Sequence, residues 1–285
     1  MGRLHLIVWM AKCQYRKFWT VKTVLFLAFS VIFLGESVIG KMIAVSLQTG
    51  LTVNYLEPVI LILSSSFYAM IIPISFLALL ADFPDNHTGG IFMMVRIRRQ
   101  IWICGEILYA LFVGLTYFGI LLAGSIFWIG SAGCFSNRWS PYMTELYIRF
   151  PDIYTTNQDY FISADTVAQG NPVGVLLTGI FLMLFFLVTL AQILCIFKLT
   201  GHKRVGLICG MALTVLGAVA AVYLDKLKWF FPMAHAIFGM HFRDFFSEPE
   251  CRILYSVLYF AALNMVLWIF NRFFVKRFQI GDERV

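Results

Sequence analysis

Few side-chain sets in this sequence could do chemistry, and each can be judged from its spacing. Gly35–Met42, GESVIGKM, has the glycine, four residues and Gly-Lys of a phosphate-binding loop. Such a loop needs a Ser or Thr after the lysine to hold magnesium, and it follows a strand. Met42 fills that place, and the context is the outer end of an apolar run, so the match is a coincidence. His235 and His241 lie six residues apart in an aromatic segment. Residues at that spacing do not share one helix face, so each imidazole reads as packed or interfacial rather than as half of a metal site. The sequence contains no HExxH and no GxSxG, and its six cysteines form no CxxC, so neither hydrolytic nor zinc chemistry is indicated. Cys134 and Cys251 fall in segments expected outside the membrane, where a disulfide could join them.

The other charged set lies in Ala81–Leu108, ADFPDNHTGGIFMMVRIRRQIWICGEIL. Asp82 and Asp85, ahead of the Thr88-Gly89-Gly90 turn, put acids near the positive end of a short helix. Ile91–Val95 then supplies an apolar strip, and Arg96, Arg98 and Arg99 an anchor for lipid headgroups. A helix of that kind, lying along a bilayer, could pass a rigid-body push into the spans on either side. An ordinary basic juxtamembrane loop would account for the same residues. Asn86-His87-Thr88 matches a glycosylation sequon, inert if the loop is cytoplasmic. Glu36 and Lys41 read as charges snorkelling from the outer end of the first span. Glu106, at the inner edge of the third, is expected to pair with Arg99, Lys198 or Arg204.

The elements that must position these groups follow from composition. Hydrophobic residues make up 60% of the 285, charged residues 13%, and the mean hydropathy is +0.82. A helix needs about 20 apolar residues to cross a bilayer. The pattern predicts one all-α transmembrane domain over residues 1–285, with six spans at about 21–43, 58–80, 101–128, 172–197, 205–223 and 253–270. Ser64, Ser65, Ser66 and Pro73 within the second span do not forbid a helix. Residues 3–19 are too charged to span and are expected to form an interfacial helix. Residues 129–171 form an external excursion, and the aromatic stretch 225–252 a re-entrant or interfacial pair of short helices. In the fifth span Gly206, Gly210, Thr214 and Ala218 recur every four residues as a small-residue ridge. It suits close helix packing within the chain or a dimer seam.

Charge orients this layout. One side carries 15 of the 22 basic and 5 of the 15 acidic residues, which puts both termini in the cytoplasm. The net charge of +7 is therefore a matter of topology, and nucleic acid is not an expected partner.

The whole arrangement resembles the ABC-2 type transporter permeases, the membrane subunits of ABC exporters. The resemblance rests on the N-terminal interfacial helix, six spans, the Asp82…Thr88-Gly89…Arg96–Arg99 loop and the broken aromatic segment before the last span. It implies a permease of a bacterial cytoplasmic membrane that moves a peptide, drug or lipid-like substrate. The loop would act as a coupling helix against a cytoplasmic ABC ATPase. That partner would bind ATP and magnesium, while this chain would bind no cofactor. A second permease subunit, identical or related, completes such a complex within membrane lipid. Members commonly place a lysine shortly after the arginine, where this chain has Glu106. A membrane-embedded enzyme working through His235 and His241, or a non-transporting immunity or sensor protein, are the alternatives.

Overall fold

The computed structural model describes residues 2–84, 97–224, 226–242 and 249–277. Helices carry most of them. Strand pairing among the described residues is confined to a two-residue parallel ladder, Val53–Asn54 beside Gly133–Cys134. Helix α1 is Arg3–Phe18. Thr20 caps α2 (Val21–Leu34) by accepting from the Thr23 amide. A π-helical turn, Gly35–Ile39, joins α2 to α3 (Gly40–Thr49), and Gly50 ends the rod at φ +72°. The GESVIGKM match lies inside this rod. The Gly35 amide donates to the Ile32 and Val31 carbonyls and the Gly40 amide to that of Gly35, so these amides are committed to the helix and cannot cradle a phosphate.

The continuous helix expected over 58–80 is instead two helices, α4 (Glu57–Ser64) and α5 (Ser66–Leu79), bent by 92°. The break is at Ser65, whose backbone is extended (φ −89°, ψ 129°), and not at Pro73. Ser65 still donates to the Leu61 carbonyl and accepts from the Ala69 amide. One residue therefore turns the chain with both of its backbone groups satisfied. Tertiary packing fills the corner: a Cβ on Gly239 would come within 2.8 Å of the Ser64 carbonyl oxygen.

Helix α6 (Arg99–Ile129) is followed by three short helices, α7 (Pro141–Arg149), α8 (Pro151–Thr156) and α9 (Ala164–Ala168). Asn171 then caps α10 (Pro172–Leu199). Gly201, at φ +81°, makes the tight turn into α11 (Lys203–Tyr223). A 3-10 turn (Lys226–Phe230), α12 (Pro232–Ala236) and a second 3-10 turn (Phe238–His241) lead to α13 (Ile253–Arg277).

Among the described residues, five helical stretches are long and apolar enough to cross a membrane, or six if the bent pair counts as one. The chain is an all-α, multi-pass membrane protein. Helix α10 is its centre, touching α4, α5, α6, α11, α12 and α13. A polar clamp fixes α10 to α13: Gln192 donates to Asn264 at 2.7 Å, Asn264 to Thr189 at 3.1 Å, and Asn271 to the Gln192 carbonyl at 3.2 Å. Helix α1 lies along α6. Met10 packs where Gly105 leaves room, and the Tyr15 hydroxyl meets Thr116 at 2.6 Å.

Candidate functional site

Polar groups concentrate at the two ends of the bundle. One end gathers the termini of α5, α10 and α13 with the starts of α6 and α11. Of the residues expected to build a lever there, Asp82, Arg98 and Arg99 are placed, while Asp85, Thr88, Gly89, Gly90 and Arg96 lie outside the described residues. Asp82 follows α5, and its carboxylate meets Lys203 at 2.6 Å. Lys198 donates to the Asp82 carbonyl at 3.1 Å and also to the Pro84 carbonyl. The chain leaving α5 is thereby tied to both sides of the α10–α11 turn. Arg99 donates to the carbonyls of Val275 (3.1 Å) and Lys276 (2.9 Å). Carbonyls in a last helical turn have no partner within their own helix, so the first residue of α6 holds the end of α13. Arg98 is exposed and lines a shallow cavity of about 370 Å³ with Arg3, Leu6, Ile97 and Ile101.

Glu106 is fully buried and accepts from Gln14 of α1 at 3.0 Å. The expectation that Arg99 would pair with it is not met, since Arg99 is turned to α13. The spacing along α6 could not reveal a partner on a helix 92 residues away. The ridge of α11 faces inward. Gly206 meets Phe197, Gly210 meets Leu77 and Leu190, the Thr214 hydroxyl donates to the Gly210 carbonyl at 2.9 Å, and Ala218 is buried. These contacts, all within one chain, occupy it.

The opposite end holds two buried networks. Glu57, the first residue of α4, is 0% exposed. Its carboxylate accepts from the Asn54 amide (3.0 Å), the Ser140 amide (2.8 Å) and the Ser140 hydroxyl (2.7 Å). Asn54 donates to the carbonyls of Ser136 and Arg138. Together they seat the 129–141 connection on the start of α4. The position carries a readable signal, an acid followed by proline at a helix start, but nothing in its neighbours shows what it would bind.

The second network buries both histidines, as expected of packed residues, and corrects only the spacing argument made for them. His235 lies in the last turn of α12 and His241 ends the following 3-10 turn, with Ile237 extended between them (φ −85°, ψ 109°). The helix-face argument fails because no single helix contains both. Each ring reaches the same hydroxyl: His235 Nδ1 and His241 Nε2 both lie 2.8 Å from Ser256 Oγ, in the first turn of α13. His235 Nε2 faces the Trp229 carbonyl at 2.8 Å, and His241 Nδ1 faces the carbonyls of Ile237 (3.2 Å) and Phe238 (3.1 Å). Tyr259 stacks on His235 at 4.1 Å. Burial pulls both imidazoles below the ordinary histidine value, that of His241 to about 4, against the pull of its two carbonyls. Lys228 and Glu250 pair beside them at 2.8 Å. Cys251 is a free thiol 3.8 Å from Ser256 Oγ, and Cys134 is free as well. Among the described residues no three His, Cys, Asp or Glu side chains form a metal-binding group. No sequence signal marks Ser256, one hydroxyl in an apolar helix.

No family model, curated protein or solved structure matches this chain.

Proposed function

We propose that the chain is the permease subunit of an ATP-driven exporter, moving a peptide, drug or lipid-like substrate across a bacterial cytoplasmic membrane. Both termini are cytoplasmic, the bent α4–α5 pair serves as a broken sixth span, and the 226–242 turns are the re-entrant external element. A separate ABC ATPase binds ATP and magnesium at the basic end, and a second permease subunit completes the pore.

One observation carries this reading. The residues flanking 85–96 are fastened to the ends of three other helices: Asp82 and Pro84 to α10 and α11, and Arg99 to α13. A force delivered to that loop would reach α5, α6, α10, α11 and α13 together, as a rigid-body switch requires. To bias the cycle, the ATPase must contact the two membrane conformations differently there.

The test separates two arginines. Arg98 is exposed, whereas Arg99 is committed within the chain. In purification from native membranes, the wild-type chain is expected to bring down an ATP-binding protein. Arg98→Glu should reduce that recovery at least several-fold with the chain's melting temperature unchanged, while Arg99→Glu should also lower the melting temperature. Recovery of no ATPase with the wild-type chain, or undiminished recovery with Arg98→Glu, would sink the coupling-loop reading.

A further inference from the structure

Counting protons in the His235–Ser256–His241 network shows that it is one short. A backbone carbonyl only accepts, so His235 Nε2, 2.8 Å from the Trp229 carbonyl, carries a hydrogen and leaves Nδ1 bare in the neutral ring. His241 Nδ1 faces two carbonyls, which by the same logic asks for a hydrogen there and a bare Nε2. Both bare nitrogens would then face Ser256 Oγ at 2.8 Å, yet a hydroxyl has one hydrogen to give. The neutral network cannot satisfy every contact.

The distances show which contact yields. The bond from His235 to Trp229 is short and single, while His241 Nδ1 makes two longer, shared contacts at 3.2 and 3.1 Å. In the neutral state, hydrogens run from His241 Nε2 to Ser256 and from Ser256 to His235 Nδ1. His241 Nδ1 is left as a bare lone pair against the carbonyls of Ile237 and Phe238. One added proton at that atom completes every bond.

We propose that this network is a binding site for a single proton, taken up at Nδ1 of His241 and held by Ser256 and a permanently neutral His235. The two carbonyls are already aimed at the incoming hydrogen, and Ser256 fixes the opposite edge of the ring. A second proton is opposed by charge, because two imidazolium rings would then face each other across one buried hydroxyl. The charged and titratable groups around the site among the described residues include Lys228, Glu250, Cys251 and Tyr259, with Asp165 on the short helix packed against the Phe238–His241 turn. Lys228 lowers the proton affinity of His241 even though it is paired with Glu250, and Tyr259 stacks on the ring that stays neutral.

Burial sets where the site works. A folded-state value below that of the unfolded chain means that the docked segment loses stability as pH falls through the ordinary imidazole range. Stability of the docked 226–242 segment is therefore lost between the ordinary histidine value and about 4, and the site itself fills only at the acidic end of that window. This inference does not depend on the exporter reading.

Nitrogen-15 NMR of histidine-labelled full-length protein in nanodiscs, from pH 7.5 to 3.5, tests it directly. In the wild type, His235 should keep its Nε2–H tautomer throughout. His241 should change from the Nε2–H tautomer to the doubly protonated ring in a single step. Ser256→Ala removes the acceptor of the imidazolium's Nε2–H and should lower the His241 midpoint by about one pH unit, a tenfold loss of proton affinity. His241→Gln, which keeps a donor toward Ser256, should abolish the step while His235 keeps its tautomer. Two independent protonations, a His235 that titrates first, or a midpoint unmoved by Ser256→Ala would each overturn the proposal. The first two are read on the wild-type protein and need no variant to fold.

Discussion

Two lysine–carboxylate pairs of nearly equal length sit in opposite surroundings. Lys203 meets Asp82 at 2.6 Å with side chains 41% and 89% exposed, while Lys228 meets Glu250 at 2.8 Å with 8% and 20% exposed. An exposed pair gains little, because water and salt screen it and two long side chains must be ordered. A buried pair is stiff because removing either partner strands a charge. The same contrast runs through both ends. Around Asp82 the bonds come from long, mobile lysines and arginines to backbone carbonyls, groups that can exchange partners at small cost. Around Glu57 and Ser256 they come from short side chains and amides closed off from solvent. The end proposed to meet an ATPase is therefore the adaptable one, and the other is built as a fixed frame around one titratable site.

The largest effect is expected at the most enclosed group. Glu57→Ala leaves the Asn54 and Ser140 amides without their acceptor, and each buried donor left unsatisfied costs about 1–3 kcal/mol. The variant should lose roughly 3 kcal/mol or more, read as a large drop in melting temperature or failure to recover monodisperse protein. Glu57→Gln keeps the volume and one acceptor and should lose less. Melting of Glu57→Ala at the wild-type temperature would dismantle the rigid-frame side of the contrast.

Next in size is Lys228→Met. Among the described residues it leaves Glu250 with Trp229 as its remaining side-chain donor, at 3.3 Å, in a mostly buried place. Removing one partner of a fully buried pair costs about 3–5 kcal/mol, and the partial exposure of Glu250 should bring this variant nearer 2. Its melting temperature should fall by several degrees and respond little to added salt, since buried pairs are screened far less than exposed ones.

Legibility in the sequence followed the range of the forces involved. Apolar runs such as PVGVLLTGIFLMLFFLVTLAQILCIFKL read as membrane helices because hydropathy is local, and the structure makes them helices. The bend at Ser65 was not legible. A Ser-Ser-Ser run is compatible with either form, and the corner is filled by Gly239, 174 positions further along. That Gln14 donates to Glu106 was not legible, because it needed the knowledge that α1 lies along α6. The histidines were legible as packed residues, but the spacing argument assumed one continuous helix, and a single extended residue, Ile237, removed that assumption. The ridge of α11 was readable as a packing surface, although which helix filled it was not.

The smallest expected effect is at the adaptable end, and it decides the comparison most cleanly. Lys203→Met removes one cation from Asp82, whose side chain is 89% exposed and in reach of water. Exposed pairs contribute about 0–1 kcal/mol, so the melting temperature should stay within a degree or two of wild type. What remains of the difference should vanish in high salt, because the screening length falls to about 3 Å at 1 M. Lys198 still holds the carbonyls of Asp82 and Pro84, so the path of the chain after α5 should survive. Measured beside Lys228→Met in the same detergent, the two variants should separate in both size and salt response. Equal losses would mean that Asp82 and Lys203 are shielded by something seated on that end even in the purified protein, and the proposed docking surface would then already be occupied.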